Sequence, residues 1–150
     1  MKIIKPPKPL EVTGKSIFLA GSIEMGIAEK WQAKVERLLS DQPVTIFNPR
    51  RDDWDSSWVQ SIDNLQFREQ VEWELSALEI ADIIALYFDP TTKSPISLLE
   101  FGLFSRTGKL IVCCPDGFWR KGNVDIVCDR YGIMQVPSIN DLVMAVIGCM

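Results

Sequence analysis

The 150-residue chain contains no histidine. That absence removes the usual general base near neutral pH, the serine–histidine triads and nearly every catalytic zinc site. Acid–base or nucleophilic chemistry therefore falls to carboxylates, thiols or hydroxyls. Basic residues are also short: 16 Lys and Arg stand against 20 Asp and Glu, a net charge of −4, with no basic cluster for a nucleic-acid backbone or an anionic membrane. A small molecule is the expected partner. No stretch approaches the roughly 18 apolar residues that span a bilayer. Residues 1–15 carry charge and three prolines rather than the apolar run of a signal peptide, so a cytoplasmic protein is expected. The four cysteines, Cys113, Cys114, Cys128 and Cys149, match no metal-ligand spacing and read as reduced, mostly core residues. There is neither a G-x-G-x-x-G fingerprint nor a P-loop, and no metal or cofactor is expected.

What is present is 47% hydrophobic residues, enough for one core and too short a chain for two. An apolar strand over 16–20 ends in Gly21-Ser22. A helix is predicted over about 26–40, where Ile27, Trp31, Val35, Leu38 and Leu39 recur at helical spacing. Residues 44–47 read as a strand, 65–80 as a helix with Phe67, Val71, Trp73, Leu75 and Leu78 as its apolar positions, and 82–88 as the clearest strand. A helix over about 96–108, a strand over 110–114, a loop over 115–122, a fifth strand within 126–136 and a helix over 138–147 capped by Ser138 complete the chain. This alternation predicts an α/β domain over 15–150, with a parallel five-stranded sheet covered on both faces and residues 1–14 as an N-terminal extension. Ligands of such sheets bind beyond the carboxyl ends of the strands, here residues 21–24, 48–58, 89–97 and 115–123. The polar stretch 48–64 is longer than an ordinary connection, as functional loops often are.

Among residues able to do chemistry, Glu100 is the most informative. Its helical neighbours Ile96, Leu103 and Phe104 are apolar, so its carboxylate lies partly buried or at the rim of a cavity. The competing reading is a helix-edge glutamate paired with Arg106 or Lys109. Ser94 and Ser97 open the same helix, where hydroxyls and free N–H groups suit an anion or a sugar hydroxyl, or simply cap it. Gly21-Ser22 permits close ligand approach, yet a tight strand-to-helix turn needs small residues in any case. Trp54, Trp58 and Trp119 lie in loops, where they stack on a base or pack beneath the loop. Asp52, Asp53 and Asp55 supply an acid, bind a base or solvate their loop. Asp82 opens a strand at the far edge of the sheet and reads as structural. Glu69, Glu72 and Glu79 read as a solvated helix face.

Taken together, the segments Ile17-Phe18-Leu19-Ala20-Gly21-Ser22, Glu74 eight residues before Asp82-Ile83-Ile84-Ala85, and Ser94-Pro95-Ile96-Ser97-Leu98-Leu99-Glu100-Phe101-Gly102 resemble the nucleoside 2-deoxyribosyltransferase superfamily, over about residues 15–136. The resemblance implies a flavodoxin-like three-layer sandwich and cleavage of the N-glycosidic bond of a nucleoside or nucleotide. It implies that Glu100 is the nucleophile that attacks the sugar C1′ and that Glu74 serves the base or its protonation. Ser94 would read the 5′ end of the sugar, with Gly21 and Ser22 beside it. The segment 117–125 resembles the one that reaches a neighbouring subunit's site, with Asn123 and Asp125 as the contribution in trans, so a homodimer or higher homo-oligomer with shared sites is implied. Asn48, Asp53, Trp54 and Ser97 complete the expected substrate contacts.

Two departures stand out. Phe18 occupies a position where members usually carry a tyrosine whose hydroxyl orients the nucleophile, a bond lost unless Tyr87 or a serine replaces it. The loop 48–64 matches a divergent branch described only as deoxyribosyltransferase-like. The alternatives that remain are an NAD glycohydrolase-like enzyme and a nucleotide-binding module that has kept the fold. A receiver domain is disfavoured because Gly21-Ser22 stands where a receiver needs its magnesium-binding acidic pair.

Overall fold

A computed structural model describes residues 1–23, 30–51, 53, 55 and 57–150. Ile27, Asp52, Trp54 and the expected beginning of the first helix lie outside the described residues. The strands are β1 (Lys2–Ile4), β2 (Lys15–Gly21), β3 (Val44–Phe47), β4 (Ile83–Tyr87), β5 (Leu110–Cys113) and β6 (Met134–Val136). They form one parallel sheet in the order β1-β3-β2-β4-β5-β6. The helices are α1 (Trp31–Leu38), α2 (Leu65–Ile80), α3 (Pro95–Phe104), α4 (Lys121–Tyr131) and α5 (Ile139–Gly148). This is a flavodoxin-like α/β sandwich.

β4 and β5 are buried throughout, and β2 from Ser16 to Ala20, because both faces are covered. On one face, Phe18, Ala20, Ile84 and Leu86 pack with Trp73 and Ala77 of α2, Phe101 of α3 and Val124 of α4. On the other, Ile17, Leu19, Ala85 and Tyr87 pack with Trp31 and Val35 of α1 and with Leu142 and Val146 of α5. Strand alternation sends Cys114 to the first core and Cys113 to the second. Both thiols are free, and burial pushes Cys113 up to about 11 and Cys114 up to about 12. Cys128 is also free and buried, whereas Cys149 is exposed.

Two expectations are corrected. The sheet has six strands rather than five, because Lys2–Ile4, expected within an extension, pairs parallel with β3 at the sheet edge and buries Ile4. Residues 126–131 continue a helix rather than entering a strand. Val124 and Cys128 are buried one turn apart, Lys121 pairs with Asp125 at i,i+4, and Gly132 ends α4 in the left-handed region at φ 64°. Only Met134–Val136 remains for β6. The expected cap of α5 is present: Ser138 Oγ accepts from the Asp141 N–H at 3.1 Å. Among the described residues, no helix is long and apolar enough to cross a membrane.

Candidate active site

Strand order reverses between β2 and β4, so the segments following them converge at the carboxyl edge of the sheet. Gly21 and Ser22 end β2 there. Gly21 has φ 139°, and a Cβ on it would lie 2.2 Å from the Tyr87 carbonyl oxygen. The glycine is thus required by the approach of β2 to β4, whatever binds nearby. Ser22 is fully buried; its N–H donates to the Tyr87 carbonyl at 3.0 Å and its carbonyl accepts from the Trp31 indole at 3.2 Å. Its hydroxyl oxygen accepts from the Asp89 N–H at 2.8 Å and from Thr92 Oγ1 at 3.0 Å, and is also hydrogen-bonded to Ser94 Oγ. Ser94 in turn meets Thr92 Oγ1 at 2.7 Å. Ser22, Thr92 and Ser94 form a buried hydroxyl cluster that locks the β2–α1 turn to the β4–α3 loop. Asp89 turns that loop by accepting from the Thr91 N–H at 2.9 Å. Ser94, with φ 47°, and Pro95 then start α3, and Ser97 is buried in its first turn.

Glu100 lies on α3 and Glu74 on α2, two helices on the same face of the sheet. Both are half-buried as whole residues, with the carboxyl groups turned into the protein. Glu100 Oε2 is closed to solvent and, among the described residues, has no hydrogen-bond partner. Burial, together with the Glu74 charge, pushes Glu100 up to about 8. Burial pushes Glu74 up to about 7, against the pull of a hydrogen bond from Gln70. The expected shelter by Ile96 and Leu103 is corrected: they are 58% and 56% exposed, and Arg106 bonds Tyr131 at 3.3 Å instead of Glu100. Tyr87 does not stand in for the tyrosine missing at Phe18. It belongs to the core of the opposite face, packed at 5.4 Å against Trp31, while Phe18 lies beneath α2 and α3.

The loop after β3 approaches from the α2 side. Gln70 Nε2 donates to the Pro49 carbonyl at 3.2 Å and to Glu74 Oε1 at 2.7 Å, and Gln70 Oε1 accepts from Arg51 Nη1 at 3.5 Å. Arg51 clamps Asp53 through two hydrogen bonds, at 3.1 and 3.2 Å, and lies 5.1 Å over the Trp58 ring. This clamp holds the exposed Asp53 carboxyl below the usual carboxylate range, so it stays ionised and is no proton donor near neutrality.

Several expected contacts are committed elsewhere. Asn48 is buried, with Nδ2 on Glu36 Oε1 at 2.7 Å and Oδ1 accepting from the Arg50 N–H at 2.9 Å; it fastens the end of β3. Asn123 is exposed on α4, and Asp125 accepts from Lys121 Nζ and Gln135 Nε2, each at 2.9 Å, in a groove of about 380 Å³ between α4 and β6. Neither joins the carboxyl pair within this chain. Trp119 donates to the Lys93 carbonyl at 2.8 Å, with Lys93 and Arg120 against its ring. Asp82, at the far edge, accepts from the Ser16 N–H at 2.8 Å and hydroxyl at 2.9 Å, as suits a structural residue. Thr92 and Gln70 were not anticipated. A signal for Gln70 exists: stepping back by three and four from Ala81, Leu78, Ala77 and Trp73 reaches Glu74 and Gln70, so the buried stripe of α2 contains two polar residues.

Residues 14–118 match the family model described as nucleoside 2-deoxyribosyltransferase like. The chain belongs to this family. The match contains the hydroxyl cluster and both inward carboxyls of this nucleoside 2-deoxyribosyltransferase-like chain, and it ends before Asn123 and Asp125. No curated protein matches the chain.

Proposed function

We propose that the chain cleaves the N-glycosidic bond of a deoxynucleoside, a nucleotide or a close relative, with Glu100 as nucleophile and Glu74 as acid and base. The observation that carries this reading is the pair itself. A buried carboxyl with an unsatisfied oxygen is costly, and a family of sugar-transferring enzymes gives the cost a purpose. In the first step a Glu100 carboxylate oxygen bonds C1′ as the C1′–N bond breaks, and its electron pair leaves with the base, which takes the proton of Glu74. In the second, water or another base attacks C1′, the ester bond to Glu100 breaks, and the incoming nucleophile's proton returns to Glu74. Water as acceptor makes a hydrolase, a base a transferase. Within the same reading a second copy is the partner that covers Ile96, Leu99 and Leu103 on α3.

The test is a screen of deoxynucleosides, their monophosphates and NAD for base release, with and without an acceptor base. Release from a deoxynucleoside or its monophosphate supports the proposal, and nicotinamide release from NAD alone replaces it with a glycohydrolase. Tight binding without product favours a nucleotide-binding module, a reading supported by the lack of a tyrosine hydroxyl at Phe18.

The pair should be active while it holds one proton; because burial and the Glu74 charge push Glu100 above Glu74, that proton rests mostly on Glu100, and the reactive arrangement, Glu100 ionised and Glu74 protonated, is the minor form of this state. Below the lower transition both carboxyls are protonated and Glu100 cannot attack; above the upper one both are ionised and the base leaves without its proton. The rate profile is expected to be a bell with its limbs near 7 and 8. Glu74→Gln removes the ionisation of the acid and lowers the rate by about 10²–10⁴-fold. A profile flat between pH 6 and 9 excludes the pair as the acting groups.

A further inference from the structure

We propose that Gln70 is the positioning residue of the carboxyl pair, its side-chain amide fixing which oxygen of Glu74 carries the proton and keeping that proton exchangeable. Gln70 is 4% exposed, one helical turn before Glu74 on the buried stripe of α2. Its Nε2 meets two oxygens, the Pro49 carbonyl and Glu74 Oε1. Reversing the amide would set an oxygen against both and a nitrogen against the Arg51 guanidinium, so the chemistry admits one orientation. Glu74 Oε1 is thereby held as an acceptor. When Glu74 is neutral its proton resides on Oε2, leaving one oxygen to give the proton and take it back.

The surroundings leave this task to Gln70. The charged group facing Glu74 is Glu100 of α3, whose ionised form repels the ionised form of Glu74. Arg51 and its partner Asp53 act from the loop through Gln70. The sheet residues on this face, Phe18, Ala20, Ile84 and Leu86, are apolar. Burial raises Glu74, and the Gln70 hydrogen bond pulls against that rise. Without that bond Glu74 would give up its proton reluctantly. Arg51 is tied to Asp53 and Trp58, so these residues of the loop reach the acid through the Gln70 amide.

The inference rests on the proposed glycosidic chemistry only for the destination of the proton, so its test is independent of turnover. In the wild-type protein the Gln70 side-chain amide resonances are followed by NMR from pH 5 to 9, beside the carboxyl carbon of Glu74. Both are expected to move with one midpoint, and Glu74→Gln should abolish the amide's response. In Gln70→Met the Glu74 midpoint should rise by about one pH unit or more. If base release is observed, its pH profile should shift upward with the Glu74 midpoint, with kcat changing more than KM. An amide that stays silent across this range, or an unchanged Glu74 midpoint in Gln70→Met, overturns the proposal. If Gln70→Met does not fold, the wild-type amide titration decides alone. A coupled titration with no base release from any substrate leaves Gln70 assigned and sinks the proposed function instead.

Discussion

Glu100→Gln and Glu100→Ala are expected to abolish base release, lowering turnover by roughly 10³-fold or more, because among the described residues the other carboxyls of the site are held in other bonds. Glu74 is committed to Gln70 through one oxygen, and Asp53 is locked by Arg51. The same substitution should raise stability at high pH. In the folded chain Glu100 titrates near 8, above its ordinary value of 4.5, so the folded state holds this proton more tightly than the unfolded state does. The contribution of this group to stability is therefore fully present below about pH 4.5 and is lost as pH rises through 8. Glutamine keeps the shape and cannot ionise. Between pH 5 and 9, Glu100→Gln should gain on the wild type by a few kcal/mol, read by urea unfolding at several pH values. A variant that is inactive, and also less stable than wild type by the same margin at every pH, would mean that Glu100 is a packing residue. Turnover unchanged in either variant sinks the assignment outright.

Gly21→Ala is the second large effect, and it concerns the frame that holds the site. A methyl group there meets the Tyr87 carbonyl oxygen at 2.2 Å and its nitrogen at 2.9 Å, both backbone atoms of a central strand, with the backbone already at φ 139°. Neither β2 nor β4 can give way without breaking their pairing and the Ser22 N–H bond to the Tyr87 carbonyl. A loss of about 3–5 kcal/mol is expected, lowering the thermal midpoint by roughly 10 °C or more. Gly102→Ala is the control. That glycine sits mid-helix in α3 with open space where a Cβ would be, and alanine should stabilise by up to about 1 kcal/mol. Thermal and denaturant unfolding of the two variants checks both, and a Gly21→Ala protein within about 1 kcal/mol of wild type refutes the close approach.

The parallel sheet was readable because residues 17–20 of β2 and the whole of β4 and β5 are apolar runs, and runs of that kind need cover on both faces. The helix of residues 65–80 was placed to its ends, since its periodicity is long and Asn64 caps it through a 2.9 Å hydrogen bond from the Phe67 N–H. The chain was harder to read at its margins. Lys2–Ile4 is three residues long and becomes a strand only because β3 offers an open edge. Residues 126–131 carry β-branched residues that suit either state, and the burial of Val124 and Cys128 one turn apart against the sheet decides for helix. Glu100 was found as a polar residue among apolar neighbours, yet two of them, Ile96 and Leu103, face outward while Phe104 packs against the core.

By itself the sequence narrowed the class of chemistry: without histidine, acid–base or nucleophilic work falls to carboxylates, thiols or hydroxyls. It also determined the layered α/β plan, because apolar periodicity is a local property of the chain. Only the tertiary structure decided which polar groups remain free to act. Ser22, Asn48 and Asp53, expected as ligand contacts, also make hydrogen bonds within the protein. Glu74, singled out only through the family resemblance, and Gln70, which was not singled out, are both turned inward. The reason is physical. Bonds such as Ser22 with Asp89 or Gln70 with Pro49 depend on partners that the fold brings together, and spacing along one helix or strand carries no record of them.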